Sequence, residues 1–225
     1  MHEKLLPIFV LFLLVASTVV GCGHGSSTPS TLTTLSAVEG DVSVMEAGTD
    51  DWVEAQVGMS LEDGDIIKTG DDSSAEITFF DGSTVELQPG TEVEIATLAI
   101  TDTGSTTITL EQTIGATISR VVNIIDPASR YEVETATGAA AVRGSIMVVC
   151  VTGDGTTWIA NQKGNIWTIA QGVELQVPEK RKCILEPLGP PELMPPNRLP
   201  LPEDDAFITD EEHPVTIAAP GVLFK

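Results

Sequence analysis

Alternation of apolar and polar side chains is the clearest pattern in the chain. Ala75-Glu76-Ile77-Thr78-Phe79 alternates, Asp81-Gly82-Ser83 interrupts, and Thr84-Val85-Glu86-Leu87-Gln88 alternates again. Successive strand side chains point to opposite faces, so this stretch predicts a β-hairpin with Ala75, Ile77, Phe79, Val85 and Leu87 turned inward. Short runs rich in Val, Ile and Thr predict further strands at Glu92 to Ile100, Thr106 to Gln112, Ala116 to Val122, Tyr131 to Thr135, Ser145 to Val151, Thr156 to Ala160, Asn165 to Ile169 and Val173 to Val177. Gly104, Gly115, Asp126-Pro127, Gly153-Asp154-Gly155, Gly164 and Gly172 punctuate them. No stretch carries convincing helical spacing. The expectation is an all-β body, arranged either as a β-solenoid-like stack or as a compact sandwich; periodicity alone does not choose.

The two ends differ from this body. After Val177 come Pro187, Pro190, Pro191, Pro195, Pro196, Pro200 and Pro202, then Glu203, Asp204, Asp205, Glu211 and Glu212. Proline at that density favours extended polyproline II, so residues 178–225 are expected to form a Pro-rich acidic tail, with Glu186 to Pro202 as a spacer and Val215 to Phe224 apolar enough to dock back. At the other end, Lys4 precedes an apolar run from Leu5 to Val20, shorter than the ~20 residues that comfortably span a bilayer. Residues 1–21 therefore read as an export signal. Its end, Val19-Val20-Gly21-Cys22, resembles the bacterial lipoprotein signal, which implies lipidation at Cys22. Each buried acyl methylene contributes about 0.8 kcal/mol, so an acylated Cys22 would hold the domain at a membrane without a spanning helix. Residues 22–35, rich in Gly, Ser and Thr, read as a flexible linker.

Composition narrows the function. The 225 residues include 33 acidic against 11 basic side chains, a net charge of −22, which repels phosphate backbones and makes nucleic acid a poor partner. The three histidines, His2, His24 and His213, all lie near the ends, so histidine-dependent triads and histidine metal sites cannot be assembled in the body. Walker loops, dinucleotide fingerprints and CxxC pairs are missing from the sequence. The expectation is a non-enzymatic protein with no cofactor.

Few residues suggest chemistry. Cys150 and Cys183 are the thiols of the body; an exported location could pair them, adding about 3 to 4 kcal/mol, while Val148, Val149 and Val151 around Cys150 equally suit a buried free thiol. Asp63-Gly64-Asp65, Asp71-Asp72-Ser73 and Asp81-Gly82-Ser83 concentrate oxygens in turns, but calcium-loop spacing is lacking and Asp-capped turns explain them better. Arg143-Gly144 is a cation beside a corner residue, able to lock a structural corner, to pair with Glu134 or to contact a partner. Trp52, Trp158 and Trp167 could stack sugar rings if they shared a face, although packing is the commoner role.

Taken in order, Val38-Glu39-Gly40-Asp41-Val42-Ser43-Val44, Gly58 through Gly70, Ser74-Ala75-Glu76-Ile77 and Asp81 through Leu87 resemble the FecR domain family. Tyr131-Glu132-Val133-Glu134-Thr135 and Ala139 through Ser145 look like its second hallmark, so the resemblance covers residues 36–177. It implies an extracytoplasmic β-domain with a β-helix-like strand arrangement, of the kind that relays signals from an outer-membrane transporter. Those family members also carry a cytoplasmic segment that controls a sigma factor and a membrane-spanning helix. Here only a signal peptide is expected before Cys22, so the part that carries over is the binding module. The resulting expectation is a lipid-anchored module of the cell envelope that contacts another envelope protein or a cell-wall polymer. A structural cell-surface lipoprotein, serving as spacer or adhesin, is the alternative.

Overall fold

The structure is a computed structural model, and it describes residues 32–195. The signal segment, Cys22, most of the linker and the tail from Pro196 onward, including Val215 to Phe224, lie outside the described residues.

The described chain is all-β. Strands β1 (Thr34–Glu39), β2 (Val42–Met45), β3 (Trp52–Glu54), β4 (Ile66–Thr69), β5 (Ser74–Thr78) and β6 (Thr84–Leu87) are short. Strands β7 (Glu92–Ile100), β8 (Thr106–Arg120), β9 (Arg130–Thr135), β10 (Gly138–Val151) and β11 (Thr157–Ala170) include the three longest. Strands β12 (Val173–Val177), β13 (Arg181–Leu185) and β14 (Glu192–Leu193) close the sequence. All belong to one sheet, with the path β14-β13-β11-β10-β9-β8-β7-β4-β2-β3 and with β1, β5, β6 and β12 attached at its sides. The β8 and β9 pair is parallel, whereas neighbours such as β10 and β11 run antiparallel. This pairing establishes the all-β body and leaves a β-helix-like stacking of coils unestablished.

The long strands fold the sheet over on itself by changing partners midway. The first half of β8 runs between β7 and β9, and its second half between β6 and β10. The handover falls at Gly115, whose φ is +89° and where a Cβ would sit 2.4 Å from the Thr91 Cα. Only glycine fits there. Threonine hydroxyls repair the interrupted ladder: Thr91 Oγ1 donates to the Ala116 carbonyl (3.0 Å) and accepts from its N–H (2.9 Å), while Thr69 Oγ1 donates to the Gln88 carbonyl (2.6 Å). In the same way β10 passes from β9 to β8 around Gly144, and β11 passes from β13 to β12 around Gly164.

These corners correct the expectation that Gly115 and Gly164 end strands. The segments expected at Thr106 to Gln112 and Ala116 to Val122 merge into one strand that ends at Arg120, and those at Thr156 to Ala160 and Asn165 to Ile169 merge into one that begins at Thr157. A glycine at positive φ can form a bulge, bending a strand while its ladder continues. A second correction concerns the boundary at Val177. β13 pairs with β11 and β14 with β13, so the sheet continues to Leu193. Pro178 and Pro187 flank β13 instead of interrupting it, and Arg181 Nη2 ties β14 down through the Met194 carbonyl (2.7 Å).

One main core lies inside the fold. It takes Ile77, Phe79, Val85 and Leu87 from the first hairpin, Ile108 and Leu110 from β8, Tyr131 and Val133 from β9, and Val149, Ile159, Ile166 and Cys183 from β10, β11 and β13. All five predicted inward residues of the hairpin are among the buried core residues. A smaller cluster, Ala116, Ile118, Val148, Cys150 and Ala160, occupies the alternate positions of β8, β10 and β11, hence the other face of the sheet.

Candidate functional site

The outward face of β9, β10, β11 and β12 forms a groove. Sheet register builds it: Glu132 lies opposite Ala141, Ala141 opposite Trp167 and Trp167 opposite Gln176, while the next row runs Glu134, Ala139, Ile169 and Glu174. The central strand thus offers only methyl groups where its neighbours carry long side chains, and the difference in height is the groove. Its volume is about 590 Å³, within the range of small-ligand sites. Arg130, Glu132, Ala141, Arg143, Asn165, Trp167, Ile169 and Glu174 line it, over a floor that includes the buried Tyr131 and Val142.

Two apolar side chains stay open to solvent there, Trp167 at 43% and Ile169 at 47% exposure. Neighbouring apolar groups left uncovered in a concave surface make it a candidate contact site. The polar groups are of both kinds. Arginine only donates hydrogen bonds and ionised glutamate only accepts them, while Asn165 does both. The Glu132 carboxyl is held above its ordinary pKa, mainly by burial and further by Glu134, against the pull of Arg130. Glu132 and Glu174 stand on strands separated by β10 and β11, so their backbones are three strand spacings apart, roughly 14 Å.

The other predicted residues fall as follows. Arg143 is exposed on the groove rim, and its Nη2 donates to the Pro127 carbonyl (2.8 Å), fastening the loop between β8 and β9. Gly144, at φ +67°, lets that loop pass: a Cβ there would meet Asn123 at 2.9 Å. Glu134 takes no part in the bond that Arg143 makes to Pro127; it pairs in register with Ala139.

Cys150 and Cys183 are both free and buried, the second of the two alternatives that the sequence leaves open. Cys150 lies opposite Trp158 and Cys183 opposite Ile159, so β11 separates them, and they belong to different faces. Two strand spacings, about 9.5 Å, exceed the reach of a disulfide, about 7 Å at most between Cα atoms.

The aspartate turns use their oxygens internally. Asp65 accepts from the Ala47 and Glu62 N–H groups, and Asp81 accepts from Ser83 through its amide and hydroxyl. Among the described residues no group of three or more His, Cys, Asp or Glu side chains is placed to hold a metal ion. The tryptophans do not share one platform. Trp52 sits on β3 at the far end of the sheet path with Lys68 Nζ 5.8 Å from its ring, Trp158 packs on the small cluster, and Trp167 faces the groove.

Sequence reasoning missed Arg130, Glu132 and the alanine floor. The run Ala139-Ala140-Ala141 inside a strand was the available signal, because alanine is depleted in strands and alternation puts Ala139 and Ala141 on one face.

A family model described as FecR protein matches residues 65–166. Residues 65–166 form a FecR-type domain. The matched stretch begins just before β4 and ends within β11, so it contains β9, β10 and Asn165, while Trp167, Ile169 and Glu174 lie beyond it. No curated protein matches the chain. Two crystal structures of a candidate anti-sigma factor from Parabacteroides distasonis ATCC 8503, at 1.65 and 2.50 Å, are similar to it at 18% identity and a TM-score of 0.48. Each alignment covers 57% of this chain and 57% of that one, so the FecR-domain chain spans somewhat more than half the length of that protein. Among the described residues no helix is long and apolar enough to cross a membrane.

Proposed function

We propose that this FecR-domain protein is a lipid-anchored, extracytoplasmic binding module, without catalytic activity, that contacts another envelope protein or polymer through the groove of β9 to β12. The short strand–turn units before β7 serve in this reading as the repetitive, β-helix-like part of the scaffold. One observation carries the proposal: a concave face with an exposed Trp167, flanked by Arg130 and Arg143, in a protein whose surface is otherwise strongly acidic. The lipid anchor rests on the Val19-Val20-Gly21-Cys22 sequence.

Chemical crosslinking in intact cells tests it, comparing the native chain with Trp167→Ala. A crosslinked species lost from the variant is the expected result. A broad, polymer-associated fraction that Trp167→Ala leaves unchanged would assign the protein to a spacer or adhesin role.

A further inference from the structure

We infer that the groove is a subsite for an uncharged glycan, with the Trp167 ring as the stacking surface for one sugar and Arg130, Glu132 and Asn165 as the groups that hold its hydroxyls. This rests on the groove being the binding face.

The backbone argues against a peptide strand. β9 is paired on both edges, by β8 and β10; the first half of β10 is paired by β9 and β11; and the second half of β11 by β10 and β12. Their N–H and C=O groups are engaged; β12 pairs only with β11 and keeps an open outer edge, but a peptide strand joining there would extend the sheet beside the groove and leave the groove itself unfilled. Side chains must do the recognising. The apolar supply is small: Trp167, Ile169 and the Ala141 methyl, too little for the face of an amphipathic helix.

A sugar matches what remains. A pyranose has a flat C–H face suited to an indole and a rim of hydroxyls, each both donor and acceptor. Arg130 and Arg143 can only donate and the carboxylates of Glu132 and Glu174 only accept, so a ligand rich in hydroxyls satisfies both kinds at once. A polyanion would meet two carboxylates in the groove and the net charge of −22 around it.

Isothermal titration of the full chain with cellotetraose, chitotetraose and tetragalacturonate tests the inference. At least one neutral tetrasaccharide is expected to bind, with Trp167→Ala weakening it more than tenfold, Trp167→Phe restoring part of the loss, and Glu132→Gln or Arg130→Gln each weakening it several-fold. Circular dichroism of each variant separates lost binding from lost folding. Failure of both neutral sugars to bind at 10 mM (an order-of-magnitude ceiling for useful contact, about 3 kcal/mol), binding that survives Trp167→Ala, or tighter binding of tetragalacturonate would overturn it. If the sugars fail while Trp167→Ala still removes the cellular crosslink, the groove remains the binding face and only the glycan is lost; if the crosslink also survives, both are lost.

Discussion

The Tyr131 ring meets the Phe79 ring edge-on, with centroids 5.8 Å apart at 81°, and its hydroxyl donates to Ser119 Oγ at 3.0 Å. Tyr131 comes from β9, directly beneath the groove, whereas Phe79 caps the first hairpin and Ser119 lies in the second half of β8. The contact therefore joins the two halves of the folded sheet. Tyr131→Phe leaves a buried Ser119 hydroxyl without its donor and is expected to cost about 1 to 2 kcal/mol; Tyr131→Ala adds a cavity and is expected to cost about 3 to 5 kcal/mol. Urea unfolding measures both. Equal, negligible losses would mean that the two halves are held together elsewhere.

Gly115 makes the sharpest demand on the backbone. Ala at this position combines a φ of +89° with a Cβ placed 2.4 Å from the Thr91 backbone, so Gly115→Ala should destabilise by more than about 2 kcal/mol. Gly48, also at positive φ but with open space around its Cβ, is the control: its alanine variant should lose only about 1 kcal/mol. Similar melting temperatures for the two variants would contradict the corner described for β8.

Burial pushes the Cys150 thiol up to about 11 and raises that of Cys183, so neither is appreciably ionised at pH 8. Both are expected to alkylate slowly in the native protein and rapidly in denaturant, and the melting temperature should not change with reductant. A reductant-sensitive transition would restore the bridge that the strand order forbids.

Glu132 ties stability to pH through the groove. Its folded pKa is raised, mainly by burial, so the folded state holds a proton more readily than the unfolded chain. That contribution is fully present below the unfolded value and is lost as pH rises through the folded value. Glu132→Gln should therefore raise the melting temperature at pH 7 and leave it unchanged near pH 3. A variant less stable than the native chain at pH 7 would show that the carboxylate is held by favourable contacts instead.

Much of the fold was legible because local rules were obeyed. The Ala75 to Leu87 hairpin alternates cleanly around an Asp-Gly turn, and β7 and β12 have the limits that their sequence predicts. The long strands were misread because a turn and a bulge both ask for glycine at positive φ, and only the partners on each side distinguish them. β13 was hidden by composition: five strand residues lie among prolines that spare the strand itself. The groove was the least legible part. Glu132, Ala141, Trp167 and Gln176 become neighbours only through three strand registers, and a one-residue slip in any of them would turn part of the row inward. Arg143 and Trp167 were each recognisable as unusual, but nothing in the sequence placed them on one surface.

Site-specific photocrosslinking tests the central claim most directly, with a photoreactive residue placed in turn at Ile169 in the groove and at Val53 on β3, both exposed and remote from each other along the sheet path. The account predicts adducts from position 169 and none from position 53. Adducts from position 53 with none from position 169 would contradict it.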